Sequence, residues 1–296
     1  MKNTSRKNNN SLQRNSAPSG QHDLTIKNGA KIYNLANTGS FFLISGPCVV
    51  ESEKLCFDVA KRLKDITLRL KIPFIFKASY KKANRTSGKS FRSIGVLESL
   101  SILGNIREKL EIPVLTDIHS EVEAEIAAEY TDILQIPAFL SRQSELLEAA
   151  AETGRIINIK KGQFLSPYDM VHQVNKVRAA GNNKVMVTER GTTFGYQNLV
   201  VDMRSLEIMK SIGCPVVFDA THSVQMPSKD NGVSGGSPEF IEPLAKAAAA
   251  VGIDGIFIET HPDPARALSD ASSMLKLDKI ESLLKRLLAV HKAAKP

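Results

Sequence analysis

One pattern recurs eight times along the chain and limits the fold more than any other feature. A short apolar run, rich in Val, Ile and Phe, is followed by a loop and then by a stretch with helical periodicity. The runs are FFLISGP (41–47), PFIFKAS (73–79), PVLTDIH (113–119), DILQIPA (132–138), IINIKKG (156–162), KVMVTER (184–190), PVVFDATH (215–222) and GIFIETH (255–261). The intervening stretches read as helices near 52–70, 95–110, 120–130, 142–153, 167–179, 202–212, 238–251 and 277–293. In the last of these, Leu277, Ile280, Leu283, Leu284 and Leu287 share one face. Strands apolar along their whole length are buried on both faces, as in a parallel sheet. Eight such units in 296 residues predict a closed (β/α)8 barrel of the TIM type. An open doubly wound sheet is the alternative, but no GxGxxG follows any strand. The Gly-rich stretch NGVSGGSPE (231–239) lacks the GK[ST] of a phosphate P-loop.

The barrel accounts for a single domain over residues 23–296. Residues 1–22 are rich in Asn, Ser, Lys and Gln and offer almost nothing to bury, so this tail is expected to be disordered. Next comes LTIKNGAKIYNL (24–35), where Asn28-Gly29 between two short runs predicts a β-hairpin. The formal net charge is +8, and four of the cations (Lys2, Arg6, Lys7 and Arg14) stand in the tail before the first acidic residue, Asp23. The others are spread through the chain, several in short motifs at strand ends. That pattern favours small anionic ligands over nucleic acid. No apolar run approaches the length of a membrane span, and no apolar stretch follows the N-terminal cations as in a secretory signal. Three cysteines without framework spacing fit a reducing cytoplasm.

Each run begins apolar and ends polar. The ends carry Cys48, Lys77, Asp117 and His119, Gln135, Lys160 and Lys161, Glu189 and Arg190, Asp219 and His222, and Glu259 and His261. A parallel barrel brings these ends to one rim, where such barrels perform their chemistry. Lys77, Lys82, Arg85, Lys160 and Arg190 would form a strongly positive pocket there. Such a cluster repels itself unless anions bind in it. A solvated rim would explain any one of these residues, but not all five together.

Cys48, His222, Glu259 and Asp270 stand on runs one, seven and eight and in the loop after run eight. Closure of a barrel makes its first and last strands neighbours, so the four can converge. Thiolate, imidazole and carboxylates suit Zn, Fe, Mn or Co. The spacing is not a metal signature by itself, and Cys48 alone also fits a small buried hydrophobe. Cys56 and Cys214 read as packing residues.

The segments SGPCVVES (45–52), FKASYKKANRTS (76–87), TDIH (116–119), QIPAFLSRQ (135–143), NIKKGQF (158–164), TERGTTFGY (188–196), DATHSVQ (219–225), SGG (234–236), IETHPDP (258–264) and LSDAS (268–272) are more specific. In this order the chain resembles the 3-deoxy-D-manno-octulosonate 8-phosphate synthases, from about Leu24 to the C-terminal helix. The resemblance implies a cytoplasmic enzyme of lipopolysaccharide biosynthesis, a homotetramer, that condenses phosphoenolpyruvate with D-arabinose 5-phosphate. It implies that Lys77, Lys82, Lys160 and Arg190 hold phosphoenolpyruvate, with Lys160 and Arg190 on its phosphate. Asn84, Arg85 and Thr86 would receive the pentose phosphate, and Ser79, Asp117, Gln135 and Gln163 belong to the same cavity. Lys82, Lys160, His222 and Asp270 are the expected catalytic residues, with Lys82 a candidate general acid. Cys48, His222, Glu259 and Asp270 match the ligands of one divalent ion in the metal-dependent members; metal-independent members carry Asn at the position of Cys48.

The related 3-deoxy-D-arabino-heptulosonate 7-phosphate synthases use erythrose 4-phosphate and typically show Lys-Pro-Arg-Thr at the sugar loop. Here the loop reads Lys82-Ala83-Asn84-Arg85-Thr86, which favours the five-carbon sugar. A barrel that binds anions without turning them over is a further alternative. Two departures from the family stand near the pocket: Lys81 where relatives usually carry Asp, and FRSIG (91–95) without the usual Gly-Pro after Arg92.

Overall fold

The computed structural model describes residues 24–28, 31–35, 39–83, 91–196, 198–230 and 233–295. The tail 1–22 lies outside the described residues. In chain order the elements are β1 (Thr25–Asn28), β2 (Lys31–Asn34), β3 (Phe42–Gly46), α1 (Glu53–Leu70), β4 (Phe74–Lys77), α2 (Val96–Leu110), β5 (Val114–Asp117), α3 (Glu121–Tyr130), β6 (Ile133–Ile136), α4 (Ser144–Glu152) and β7 (Ile156–Lys160). Then follow α5 (Met170–Ala179), β8 (Val185–Glu189), β9 (Thr192–Phe194), β10 (Asn198–Val200), α6 (Arg204–Lys210), β11 (Val216–Asp219), β12 (Gln225–Asp230), β13 (Val233–Gly236), α7 (Ile241–Val251), β14 (Gly255–His261), β15 (Leu275–Lys276) and α8 (Ile280–Ala294).

Strands β3, β4, β5, β6, β7, β8, β11 and β14 pair in parallel in that order, and β14 returns to β3. The ring is closed, so the (β/α)8 barrel stands and the open sheet does not. Each apolar run forms a barrel strand and each periodic stretch a helix.

Side chains alternate along each strand and build two cores. Leu43 of β3 points out to the helices; Phe42 and Ile44 point into the barrel with Ile75, Leu115, Ile133, Ile156, Met186, Val217 and Phe257. Helix α1 shows the outer half. Ser52 caps it by accepting from Leu55 N–H, and Lys71 ends it in the left-handed region. Its inward stripe is Cys56, Val59, Ala60, Leu63 and Ile66, at helical spacing. Full burial of one such large apolar side chain stabilises the fold by about 1.5–3 kcal/mol.

The β1–β2 hairpin is present and lays Leu24, Ile26 and Leu35 against the inner core. Many of its inner-core neighbours stand at or near the starts of their strands, so the hairpin stops the amino-terminal mouth of the barrel. The turn falls one residue later than the Asn28-Gly29 signal suggests. Asn28 pairs with Lys31 as a strand residue, and the connecting residues are 29 and 30, outside the described ones.

Two further hairpins go beyond the sequence reading. Strands β9–β10 follow β8, and β12–β13 follow β11. The Gly-rich stretch supplies β13. A Cβ on Gly236 would lie 2.7 Å from Ser272 O, so glycine lets this hairpin approach the loop that carries Asp270.

Candidate active site

The catalytic rim is assembled from the carboxyl ends of the strands. Lys77 ends β4, Lys160 ends β7, and Arg190 follows β8; all three are buried. Lys160 Nζ lies 3.3 Å from His222 Nδ1 and 4.3 Å from the centre of the Phe257 ring. Burial holds the Lys160 ammonium below its ordinary pKa, Asp219 opposes the shift, and Arg190 and Lys77 add to it. Arg190 Nη2 donates to Gln225 Oε1 at 2.8 Å, while the buried Arg190 Nη1 has no partner among the described residues. Gln163 Oε1 is also buried and has none among them. Buried polar atoms without partners are costly, so a guanidinium N–H left open among buried cations is a group prepared for an anion.

A second cluster adjoins it. Cys48, Glu259 and Asp270 offer ligand atoms that all lie within 4.8 Å of one another. Cys48 Sγ is 2.9 Å from Asp270 Oδ2 and 3.1 Å from Ser269 Oγ. Burial pushes the Cys48 thiol well above its ordinary value, and Asp270 and Glu259 push it further. Without a cation it is therefore a protonated thiol that donates to Asp270. Lys77 Nζ donates to Glu259 Oε1 at 2.9 Å, and Glu259 Oε2 is buried with no partner among the described residues. His222 is not part of this trio, but its Nε2 lies 3.6 Å from Glu259 Oε1. Its Nδ1 lies 2.8 Å from Asp219 Oδ2. An ionised carboxylate only accepts, so a proton belongs on Nδ1, and Nε2 is the ring atom on the side of Glu259. Gly46, two residues before Cys48, lets β3 lie close to β4 at this end: a Cβ there would stand 2.1 Å from Lys77 O.

A carboxylate network continues around the rim. Ser79 Oγ donates to Asp117 Oδ1 at 2.5 Å, and Lys77 Nζ donates to Ser79 Oγ at 3.1 Å. His119 lies between Asp117 Oδ2 and Glu123 Oε2, 3.2 Å from each. Glu123 also accepts from Tyr80 OH, Lys81 Nζ and the His119 N–H. Burial alone would lower the Lys82 ammonium, but the carboxylates of Glu259, Asp117 and Asp270 oppose it and its pKa is raised.

The structure thus brings Cys48, Lys77, Ser79, Lys82, Asp117, Glu259 and Asp270 into one linked cluster, and Lys160, Arg190 and His222 into another beside it. Asn84, Arg85 and Thr86 lie outside the described residues. Gln135 Oε1 accepts from Asn158 Nδ2 at 2.9 Å, so that oxygen is engaged within the barrel. Lys161, next to Lys160, is a buried tether to Glu189 and Thr192. Cys56 and Cys214 are buried, their thiols pushed up to about 12 by desolvation, in keeping with packing roles. Both family departures meet the pocket loop directly: Lys81 pairs with Glu123, and Arg92 O accepts from Lys82 N–H at 2.8 Å.

Sequence reasoning places Asp219 on the rim without a role, and it does not single out Glu123, Gln225 or Ser269. Asp219, Gln225 and Ser269 fall inside the quoted motifs, which is the available signal. Glu123 has only its position four residues after His119.

Comparison with known proteins adds family membership to this geometry. The sequence profile described as "DAHP synthetase I family" matches residues 23–295. The chain is 54% identical over 261 residues to a 2-dehydro-3-deoxyphosphooctonate aldolase of Methylibium petroleiphilum, covering 86% of this chain and 92% of the relative. It is 53% identical over 256 residues to the protein of the same name from Nitrosococcus oceani, covering 86% and 91%. It is 50% identical over 273 residues to that from Brucella anthropi, covering 92% and 99%.

Proposed function

The chain belongs to the DAHP synthetase I family, and on that footing we infer the reaction its rim carries out. The enzyme forms a carbon–carbon bond. It condenses phosphoenolpyruvate with D-arabinose 5-phosphate and water, giving 3-deoxy-D-manno-octulosonate 8-phosphate and phosphate. The heptulosonate reaction with erythrose 4-phosphate is not favoured.

The observation that carries the site assignment is the buried Arg190 Nη1, without a partner among the described residues, near buried Lys160. Arg190 and Lys160 hold the phosphate of phosphoenolpyruvate, and Lys77 and Lys82 hold its carboxylate end. Asn84, Arg85 and Thr86 take the pentose phosphate. C3 of phosphoenolpyruvate attacks the aldehyde carbon of the open-chain pentose, and the new C–C bond forms as the aldehyde oxygen takes a proton. Lys82, raised in pKa by its anionic neighbours, is protonated and able to give that proton. Water adds at C2, and phosphate leaves with the C–O bond pair. Holding two anions in register is the chief service of the cations, because positioning removes entropy from the barrier.

A divalent ion fits the second cluster. Cys48, Glu259 and Asp270 converge, Glu259 Oε2 has no partner among the described residues, and His222 turns Nε2 toward them. These four residues would hold one ion of Zn, Fe, Mn or Co, which when bound would polarise an oxygen or acidify a water. Asp219 meanwhile orients both Lys160 and His222.

The homotetramer and the cytoplasmic location belong to the same proposal. Phe139, Phe164, Tyr168, Phe194 and Tyr196 are exposed in loops on the carboxyl-end side, a surface that association would cover. Among the described residues no helix is long and apolar enough to cross a membrane.

The test is phosphate release from phosphoenolpyruvate with each sugar phosphate, before and after chelation. Release with arabinose 5-phosphate that chelation abolishes and a divalent ion restores is the expected result. Release that survives verified metal removal would overturn the role of the four ligands. Binding of phosphoenolpyruvate without release would instead mark a non-catalytic anion-binding barrel.

A further inference from the structure

The Asp270 loop and the Cys48 strap belong to distant parts of the chain, yet their side chains must meet within a few tenths of an ångström to share an ion. The strap after β3 is well held. Ser79 N–H donates to Cys48 O at 3.2 Å, Val50 N–H donates to Ser79 O at 2.9 Å, and Lys77 Nζ donates to Cys48 O at 3.2 Å. The loop after β14 is held at its far end, where Thr260 pairs with Leu275 and Thr260 Oγ1 donates to Leu275 O at 2.8 Å. Asp270 itself sits in the left-handed region at φ 47, uncommon for a non-glycine residue although Asp adopts it more readily than most.

Glu51 supplies a tie between the two. It lies three residues beyond Cys48, and its Oε1 accepts from Leu268 N–H at 3.0 Å, two residues before Asp270. Its Oε2 lies 3.7 Å from His261 Nε2. His261 Nδ1 accepts from Asp263 N–H at 3.0 Å, so the neutral ring carries its proton on Nε2, and that buried N–H has no hydrogen-bond partner among the described residues. The carboxylate thus stands before two donors: the bonded Leu268 N–H of the loop after β14 and, 3.7 Å away, the ring N–H of His261 at the end of β14. Its side chain is 10% exposed.

We propose that Glu51, backed by His261, is a positioning residue of the metal site: it fastens the Asp270 loop to the Cys48 strap and so sets the distance between the two ligands. Neither residue is among the proposed substrate or ion ligands. The inference rests on the metal reading above. Its function is to preorganise ligands, and groups that orient ligands in this way commonly contribute tenfold or more to metal affinity.

The experiment is a Co(II) titration of the metal-stripped enzyme, followed through the thiolate-to-cobalt charge-transfer absorption. Wild type is expected to give a saturable band, and Glu51→Ala a Kd raised about tenfold or more. Glu51→Gln keeps the Oε1 acceptor for Leu268 N–H and returns affinity toward wild type. Calorimetry should show phosphoenolpyruvate binding the metal-free Glu51→Ala protein as it binds metal-free wild type. Unchanged cobalt affinity in Glu51→Ala would overturn the proposal, and so would an equal loss of phosphoenolpyruvate affinity, which marks general disruption. If Glu51→Ala does not fold, Glu51→Asp, one methylene too short to keep the bond, takes its place under the same criteria. Absence of the band in wild type would instead strike the metal site itself, and this inference with it.

Discussion

Lys160 Nζ lies 2.6 Å from Asp219 Oδ2, and both side chains are buried. The pair fixes where one positive charge of the pocket sits before any substrate arrives. Asp219 is held well below the usual carboxylate range: burial alone would raise it, but His222 and Lys160 outweigh that. Its replacement by Asn leaves the Lys160 ammonium buried without a counter-charge. We expect Asp219→Asn to lose about 3 kcal/mol or more of unfolding free energy, and to bind phosphoenolpyruvate poorly. Urea denaturation and a substrate titration check both; unchanged stability would show the pair to be expendable.

Lys160→Ala and Arg190→Ala each remove a charged donor from the proposed phosphate site. A hydrogen bond to a charged group is worth about 1.5–3 kcal/mol, so the KM for phosphoenolpyruvate should rise on the order of 10- to 100-fold. Initial rates at fixed arabinose 5-phosphate measure this. Wild-type kinetics in both variants would remove Lys160 and Arg190 from the phosphate.

Cys48→Ala deletes the one sulfur of the proposed metal cluster. The purified variant should contain far less metal by elemental analysis and lose most activity, while its circular dichroism stays native. A metal-free Cys48→Ala protein with full activity is the result that would sink metal dependence.

Glu123 gives a pH prediction. Burial would raise its carboxyl, but bonds from Lys81, Tyr80 and the His119 N–H outweigh it and hold the pKa at about 2, against an ordinary 4.5. A depressed carboxyl stabilises the fold above its unfolded pKa, and the contribution is lost as pH falls through the folded one. Glu123→Gln should therefore lower Tm at neutral pH, with the gap to wild type narrowing between pH 4.5 and about 2. Thermal melts across that range decide it; a constant gap would show that charge is not what Glu123 contributes.

The barrel was legible because burial on both faces leaves an unbroken apolar signature, as in GIFI at the start of β14. The hairpins β9–β10 and β12–β13 were not, because short polar strands on a rim carry no such signature; TTF of β9 is exposed throughout. The rim residues were legible because each run turns polar at its end. Their partners were hidden by separation along the chain: Arg190 meets Gln225 35 residues away, and Cys48 meets Ser269 221 residues away. Lys81 shows the limit of comparing residues one at a time. As a departure from the family it reads as surplus charge, yet Glu123 absorbs it.

The packed interior of the barrel, capped at its amino-terminal mouth by Leu24, Ile26 and Leu35, makes it a cul-de-sac. Two reactants, water and two products share one doorway. Any guest of the proposed site on buried Lys160 and Arg190 therefore enters and leaves from the carboxyl-end side.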